Sequence, residues 1–359
     1  MPTGRTGPLL PANPLALWRG DAKRLSASQV IEKGLNMENK VDPQLLMNDQ
    51  MKAVLQKSAE LAGDAFVTDV GFAEMRENYV RERRFWNEGG PVMAKTVERT
   101  FEGPMGEFMA RYYYPVEAEK LPVIEFIHGG GFVVGSPDTH DRVCRILAEK
   151  TGAVVVSVDY HLSPESKYPT NIQECVMVAK HLHEHGAEEG IDGDDLSFAG
   201  DSGGAVLSMA SNLWLRDEEG DNSFVKSLLL YYGFYGLEDS MSQRLYGWDI
   251  DGMRKEDLIY YNECWLNDLA TETKAPYVDM FHNDLTTSMP VCYIAAAGLD
   301  PLRDDSELLH RVLDTNGVRN QHEVFEGVLH AFVHYSRMLD EAAECIEHSA
   351  EFWKTRHQA

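Results

Sequence analysis

Two glycine-framed stretches hold residue types suited to acyl transfer. The first is Gly200-Asp201-Ser202-Gly203-Gly204, which follows the short apolar run Leu196-Ser197-Phe198-Ala199 and leads into a helix-like stretch over 205–216. A strand, a sharp turn and a helix in that order would form a nucleophile elbow, where flanking glycines let the backbone crowd and the serine oxygen stands at the top of a sheet. Ser202 is the candidate nucleophile, with Gly200, Asp201 and Gly204 as its frame. A five-residue pattern of common residue types also arises by accident, so the rest of the chain must supply partners.

The second stretch is His128-Gly129-Gly130-Gly131-Phe132, reached from the apolar run 122–128. Acyl transfer passes through a tetrahedral intermediate with a negative oxygen, and backbone N–H groups stabilise it where the chain approaches closely and bends freely. Gly130 and Gly131 would donate two hydrogen bonds and Gly203, one past the nucleophile, a third. Gly129 belongs to the same loop, and His128 is expected to hold it rather than act as a base. A plain turn or a phosphate-binding loop is the alternative, but no Gly-Lys-Ser/Thr ending follows.

An elbow of this kind predicts the chain order serine, acid, histidine. After the apolar run 291–297 comes Gly298-Leu299-Asp300-Pro301-Leu302-Arg303-Asp304, which puts Asp300 just past a strand end. Asp304 and Asp305 compete, yet they fall where the next helix begins and would meet its dipole. His330, in Glu326-Gly327-Val328-Leu329-His330-Ala331-Phe332, lies 30 residues beyond Asp300 and 128 beyond Ser202. Its Nε2 would take the Ser202 proton and later protonate the leaving alcohol, while Asp300 fixes the other ring nitrogen. His334 is the competing base, better placed on the element that follows.

These groups need a scaffold. Strand-like runs over 95–101, 107–114, 122–128, 153–160, 196–199, 226–232, 291–297 and 322–325 alternate, after an initial hairpin, with helix-like runs over 141–150 and 172–185. Continuous apolar strands separated by amphipathic helices read as β-α-β units, hence an α/β fold with a mostly parallel eight-stranded sheet flanked by helices. Two helix-like stretches, one from Asp42 and one over 72–85, precede the first strand and serve either as a lid or as packing on the body. The aromatic-rich stretch between Tyr232 and Pro290 is too long for a plain connection and is read, at about 236–285, as a helical insertion completing a cap. The expected organisation is cap helices over 37–90 and a core over 91–359.

The 359 residues are 43% apolar, enough for a large core, and the net charge of -25 argues against a nucleic-acid partner because phosphates would be repelled. A solvated acidic surface explains that charge, with adaptation to high salt as the other reading. Five scattered cysteines without C-x-x-C spacing indicate neither a disulfide framework nor a zinc site, which fits a reducing cytoplasm. No apolar run approaches the ~18 residues of a membrane span. Residues 1–36 sum to +3, leaving -28 for the rest. That break suggests an extra N-terminal segment, disordered or a start-site artefact with Met37 as the start; a targeting peptide is the alternative.

Taken together, His128-Gly129-Gly130-Gly131, Asp159-Tyr160-His161-Leu162-Ser163-Pro164-Glu165, Gly200-Asp201-Ser202-Gly203-Gly204, Asp300-Pro301-Leu302-Arg303-Asp304 and His330-Ala331-Phe332 resemble the hormone-sensitive-lipase-like branch of the α/β-hydrolases. Glu82-Arg83-Arg84-Phe85-Trp86-Asn87, Thr139-His140-Asp141-Arg142 and Trp214-Leu215-Arg216-Asp217 resemble its enterobacterial esterase members, and Met37-Glu38-Asn39-Lys40 resembles their start. The resemblance implies a cytoplasmic carboxylesterase for short-chain acyl esters, acetyl to butyryl, needing no cofactor or metal. Its partner would be a small ester, neither nucleic acid nor membrane, with the chain a monomer or homodimer and a regulatory protein partner left open. An amide or acyl-peptide hydrolase with the same triad, or a non-catalytic binding protein on this scaffold, are the alternatives. Phe132 and Trp214 are candidates for the acyl pocket. One departure stands out: Gly203 replaces the alanine usual after the nucleophile.

Overall fold

The computed structural model describes residues 40–62 and 71–358, so the expectations for residues 1–36 and for Met37 lie outside the described residues. Its centre is an eight-stranded sheet of order β1-β2-β4-β3-β5-β6-β7-β8. The strands are β1 Lys95–Gly103, β2 Gly106–Tyr114, β3 Leu121–Ile127, β4 Val154–Asp159, β5 Ile191–Asp201, β6 Val225–Tyr231, β7 Val291–Ala297 and β8 Asn320–Phe325. β2 runs antiparallel to β1 and β4, and every other pairing is parallel. β1 and β2 turn between Gly103 and Gly106, the turn the sequence reading expects, and the two glycines pair with each other.

Parallel strands are buried on both faces, and alternate residues feed two apolar layers. Val123, Ile127, Val154 and Val156 face one; Ile124, Phe126 and Val155 face the other. The helices, in chain order, are α1 Asp49–Ala62, α2 Phe72–Asn87, α3 Asp141–Thr151, α4 Thr170–His185, α5 Gly203–Asp217, α6 Lys255–Trp265, α7 Arg303–Thr315 and α8 Asp340–Lys354. α4, α5 and α7 supply Val178, Leu207 and Leu309 to the first layer, and α3 and α8 supply Leu147 and Ile346 to the second. The five cysteines are all buried and unpaired, on α3, α4, α6, β7 and α8.

Two differences from the sequence reading have physical causes. β5 begins five residues earlier than expected, because Ile191 pairs with Leu121 ahead of a register shift, and the polar run Asp192-Gly193-Asp194-Asp195 conceals the pairing. Glu125, in the middle of β3, is fully buried near Cys175 and Tyr112, and neither carboxylate oxygen has a hydrogen-bond partner among the described residues. Burial raises its carboxyl well above the ordinary value, so it is held protonated.

The two N-terminal helices pack differently. α1 buries Met51 and Val54 in the second layer, which is packing on the body. α2 also buries Trp86, edge-on to Tyr335 at 4.8 Å, but its first half reaches the loops after β3 and β4: Arg76 donates to the carbonyls of Val133 (2.9 Å) and Ser163 (2.8 Å). Between β6 and β7 the insertion folds as α6 flanked by the short helices Met241–Leu245 and Leu269–Glu272. Asp257 accepts from Arg254 N–H at 2.9 Å and so caps the start of α6.

Candidate active site

Ser202 sits between the end of β5 and the start of α5 with φ 52° and ψ -122°, a left-handed conformation that a non-glycine residue adopts only under constraint. The constraint is packing around it. Added Cβ atoms at Gly200 and Gly204 would fall 2.4 Å from the Gly204 carbonyl oxygen and 1.9 Å from that of Ile127, so α5 rests directly on β3. Ser202 N–H donates to the Tyr231 carbonyl at 2.8 Å, tying the turn to β6.

The candidate acid and base arrive on the loops after β7 and β8, which are bonded to each other through Gly298 N–H to Phe325 O (2.7 Å) and Leu299 N–H to Val328 O (3.0 Å). That bridge brings His330 Nε2 to 2.8 Å from Ser202 Oγ and His330 Nδ1 to 2.6 Å from Asp300 Oδ2. Asp300 is fully buried, and its other oxygen accepts from Leu302 N–H at 2.9 Å. Tyr232 packs edge-on against the His330 ring at 4.9 Å. Burial works to lower the His330 pKa, but the charge and hydrogen bond of Asp300 outweigh it and the net direction is upward.

The loop after β3 faces this array. Gly130 and Gly131 have φ of 117° and 58°, and a side chain at Gly131 would run into the Tyr261 ring, 2.4 Å from an added Cβ. Among the described residues, the N–H groups of Gly130, Gly131 and Gly203 have no internal acceptor. His128 is packed under the loop: its ring stacks on Tyr160 at 4.3 Å, and Tyr160 donates to its carbonyl at 3.0 Å. Burial lowers its pKa to about 3, so it is neutral. Gly129 N–H donates to Asp201 Oδ1 at 2.9 Å, joining the loop to the elbow from below.

Asp201 also meets His140 Nε2 at 3.0 Å and His334 Nε2 at 3.5 Å. Burial would raise its pKa, but these contacts hold it well below the ordinary carboxylate range. His140, Asp201 and His334 offer ligand atoms within 4.8 Å of one another, a spacing a metal ion could use. Asp201 Oδ1 also accepts from Gly129 N–H, while His140 Nε2, 3.0 Å from the same oxygen, makes a close polar contact without hydrogen-bond geometry. Sequence reasoning missed these partners; only the Thr139-His140-Asp141-Arg142 motif hinted at His140. His334 lies on Asp201, and the ring within hydrogen-bond distance of Ser202 Oγ is that of His330.

Asp304 and Asp305 do more than meet a helix dipole. Asp305 Oδ1 accepts from the N–H groups of Tyr235 (2.8 Å), Gly236 (3.1 Å) and Leu237 (3.1 Å), and Asp304 accepts from Ser242 N–H (2.9 Å), so both anchor the start of the insertion. Burial first, with the charge of Asp300 adding, raises Asp305 to about 7. Of the two pocket candidates, Phe132 is at the site, its ring 3.2 Å from an added Cβ at Gly203. Trp214 is not. It lies 12 residues along α5 from Ser202, about 18 Å at ~1.5 Å per residue, and packs against Tyr277 instead. Trp265, absent from the sequence reading, stacks on Phe132 at 4.1 Å.

Residues 124–334 match the family described as the alpha/beta hydrolase fold. Over 319 residues the chain is 40% identical to the acetyl esterase of Salmonella agona, covering 89% of this chain and 98% of that protein. The structure is similar to a hyperthermophilic esterase from the archaeon Pyrobaculum calidifontis at 30% identity and TM-score 0.78, covering 87% of this chain and 99% of that one. It also resembles a thermostable carboxylesterase cloned from a metagenomic library, at 28% identity and TM-score 0.74, over 81% and 99% of the two chains. With its elbow, its glycine loop and this likeness over most of its length, the chain belongs to the hormone-sensitive-lipase-like branch of the α/β-hydrolase family.

Proposed function

We propose that the chain is a serine carboxylesterase for short-chain acyl esters, acetyl to butyryl, with Ser202 as nucleophile, His330 as base and Asp300 as its orienting acid. The observation that carries this is the continuous line Ser202 Oγ, His330 Nε2, His330 Nδ1, Asp300 Oδ2, with contacts of 2.8 and 2.6 Å, facing three free backbone donors. Ser202 Oγ adds to the ester carbonyl as its proton passes to His330 Nε2. The carbonyl oxygen gains the negative charge among the N–H groups of Gly130, Gly131 and Gly203, and Asp300 stabilises the imidazolium. Collapse breaks the bond to the alkoxy oxygen, which leaves as the alcohol with the His330 proton. Water, deprotonated by His330, then attacks the acyl-serine and releases the acid. α2 and α6 form the cap over this site, supported by the contacts of Arg76 and Tyr261 to the glycine loop.

The buried, unpaired thiols fit a reducing compartment, and no described helix is long and apolar enough to cross a membrane. The deciding experiment is turnover of p-nitrophenyl acetate and butyrate beside the matching anilides. Ester turnover lost by at least about 10³-fold in Ser202→Ala is expected. Undiminished activity in that variant sinks the reading, and anilide turnover matching the esters makes the chain an amide hydrolase.

A further inference from the structure

Gly203 has no left-handed φ, so its backbone does not demand glycine; the neighbouring ring does. A Cβ built there meets three successive atoms of Phe132, Cε1 at 3.2 Å, Cδ1 at 3.4 Å and Cζ at 3.5 Å. An alanine at this position, as the family resemblance leads one to expect, would have to push the ring aside by a few tenths of an ångström. The ring has little freedom to yield. Trp265 stacks on it with centroids 4.1 Å apart and planes 19° from parallel, and Trp265 is itself fastened by Nε1–H to Oδ1 of the fully buried Asn171 at 3.0 Å. The Phe132 backbone is equally fixed: its φ is 66°, and its carbonyl accepts from Ser163 N–H at 2.8 Å.

We propose that Phe132, gripped between Gly203 and Trp265, is the end wall of the acyl pocket, and that Gly203 and Trp265 are specificity-determining residues that restrict the ester to a short acyl group. The inference rests on the esterase reading above. Phe132 follows the donor Gly131 in the chain, and its ring touches Gly203, the residue after the nucleophile. A carbonyl carbon within reach of Ser202 Oγ and of the three N–H donors therefore lies beside this ring, and an acyl chain extending that way meets it. A side chain free to turn could swing aside for longer chains, but the Trp265 stack prevents that. Glycine at 203 brings the wall about a methyl group closer to the nucleophile than alanine would allow. The two positions form a matched pair, a small residue after the serine and a large one after the glycine loop.

The test is kcat/KM for p-nitrophenyl acetate, butyrate, hexanoate and octanoate with the full chain. Phe132→Leu and Trp265→Leu are each expected to raise the hexanoate-to-acetate ratio by about tenfold or more, the scale on which one methylene counts in an apolar pocket. The milder Trp265→Phe keeps the test open if either fails to fold, and Trp214→Leu, at the far end of α5, leaves the ratio at its original value. Gly203→Ala alone should lower acetate kcat/KM several-fold, and Gly203→Ala combined with Phe132→Leu should recover it, because leucine has no ring for the methyl to strike. An unchanged ratio in the Phe132 and Trp265 variants, with acetate turnover retained, overturns the wall. Independent, additive effects at 203 and 132 overturn the pairing. If the parent chain turns over neither acetate nor butyrate, the esterase reading fails and takes this inference with it.

Discussion

Asp300 uses its two carboxylate oxygens differently, one on His330 Nδ1 and one on Leu302 N–H, so it is placed to orient the imidazole and to favour its protonated form. The net rise in the His330 pKa has a definite sign in catalysis. Protonated His330 cannot accept the Ser202 proton, so kcat/KM should fall on the acid side with a midpoint above the ordinary histidine value of about 6.5. Asp300→Asn should lower kcat by on the order of 10³–10⁴ and move the midpoint downward. A pH–rate profile of the variant with an unshifted midpoint would argue against Asp300 as the source of the rise. That Ser202, Asp300 and His330 come together was legible in the sequence because each stands past a strand end in the order this chemistry requires, although β8 ahead of His330 is largely polar. His140 and His334 were not, because their meeting with Asp201 depends on tertiary packing that no local pattern encodes. For Asp305 the place in a first helical turn was visible, but the three N–H groups it also serves lie some 70 residues upstream and were not.

At the scale of elements, the elbow depends on how closely α5 lies on β3. A methyl at Gly204 would fall 1.9 Å from the Ile127 carbonyl oxygen, a backbone atom that cannot turn away. Gly204→Ala should therefore destabilise the fold by on the order of 3–5 kcal/mol, despite the helix propensity gained. A melting curve within a degree or two of the parent would show that α5 has room to shift. Strands such as β7 were legible to the residue, since Val291-Cys292-Tyr293-Ile294-Ala295-Ala296-Ala297 is apolar throughout and buried on both faces. The first half of β5 was hidden by its acidic residues. Within the insertion, α6 was expected only as an unplaced helix. Its decisive feature is that Tyr261 and Trp265, four residues apart and so on one face, rest on Gly131 and Phe132.

For the whole molecule, Glu125 makes folding depend on pH through a residue remote in role from the chemistry. The unfolded carboxyl ionises near its ordinary pKa of about 4.3, whereas the folded one keeps its proton to a much higher pH. Unfolding above about pH 4.3 therefore releases a proton, and stability falls by ~1.4 kcal/mol per pH unit until the folded carboxyl also ionises. Glu125→Gln, neutral throughout, should flatten that decline, so that its melting temperature overtakes the parent's between pH 5 and pH 8. Parallel curves for the two proteins would show that the carboxylate finds a partner after all. The buried cysteines have a consequence of another kind. They sit on α3, α4, α6, β7 and α8, so that a thiol-specific reagent can reach each only when its own element opens. The chain thus carries five natural clocks, four timing the opening of the core and Cys264 that of the insertion.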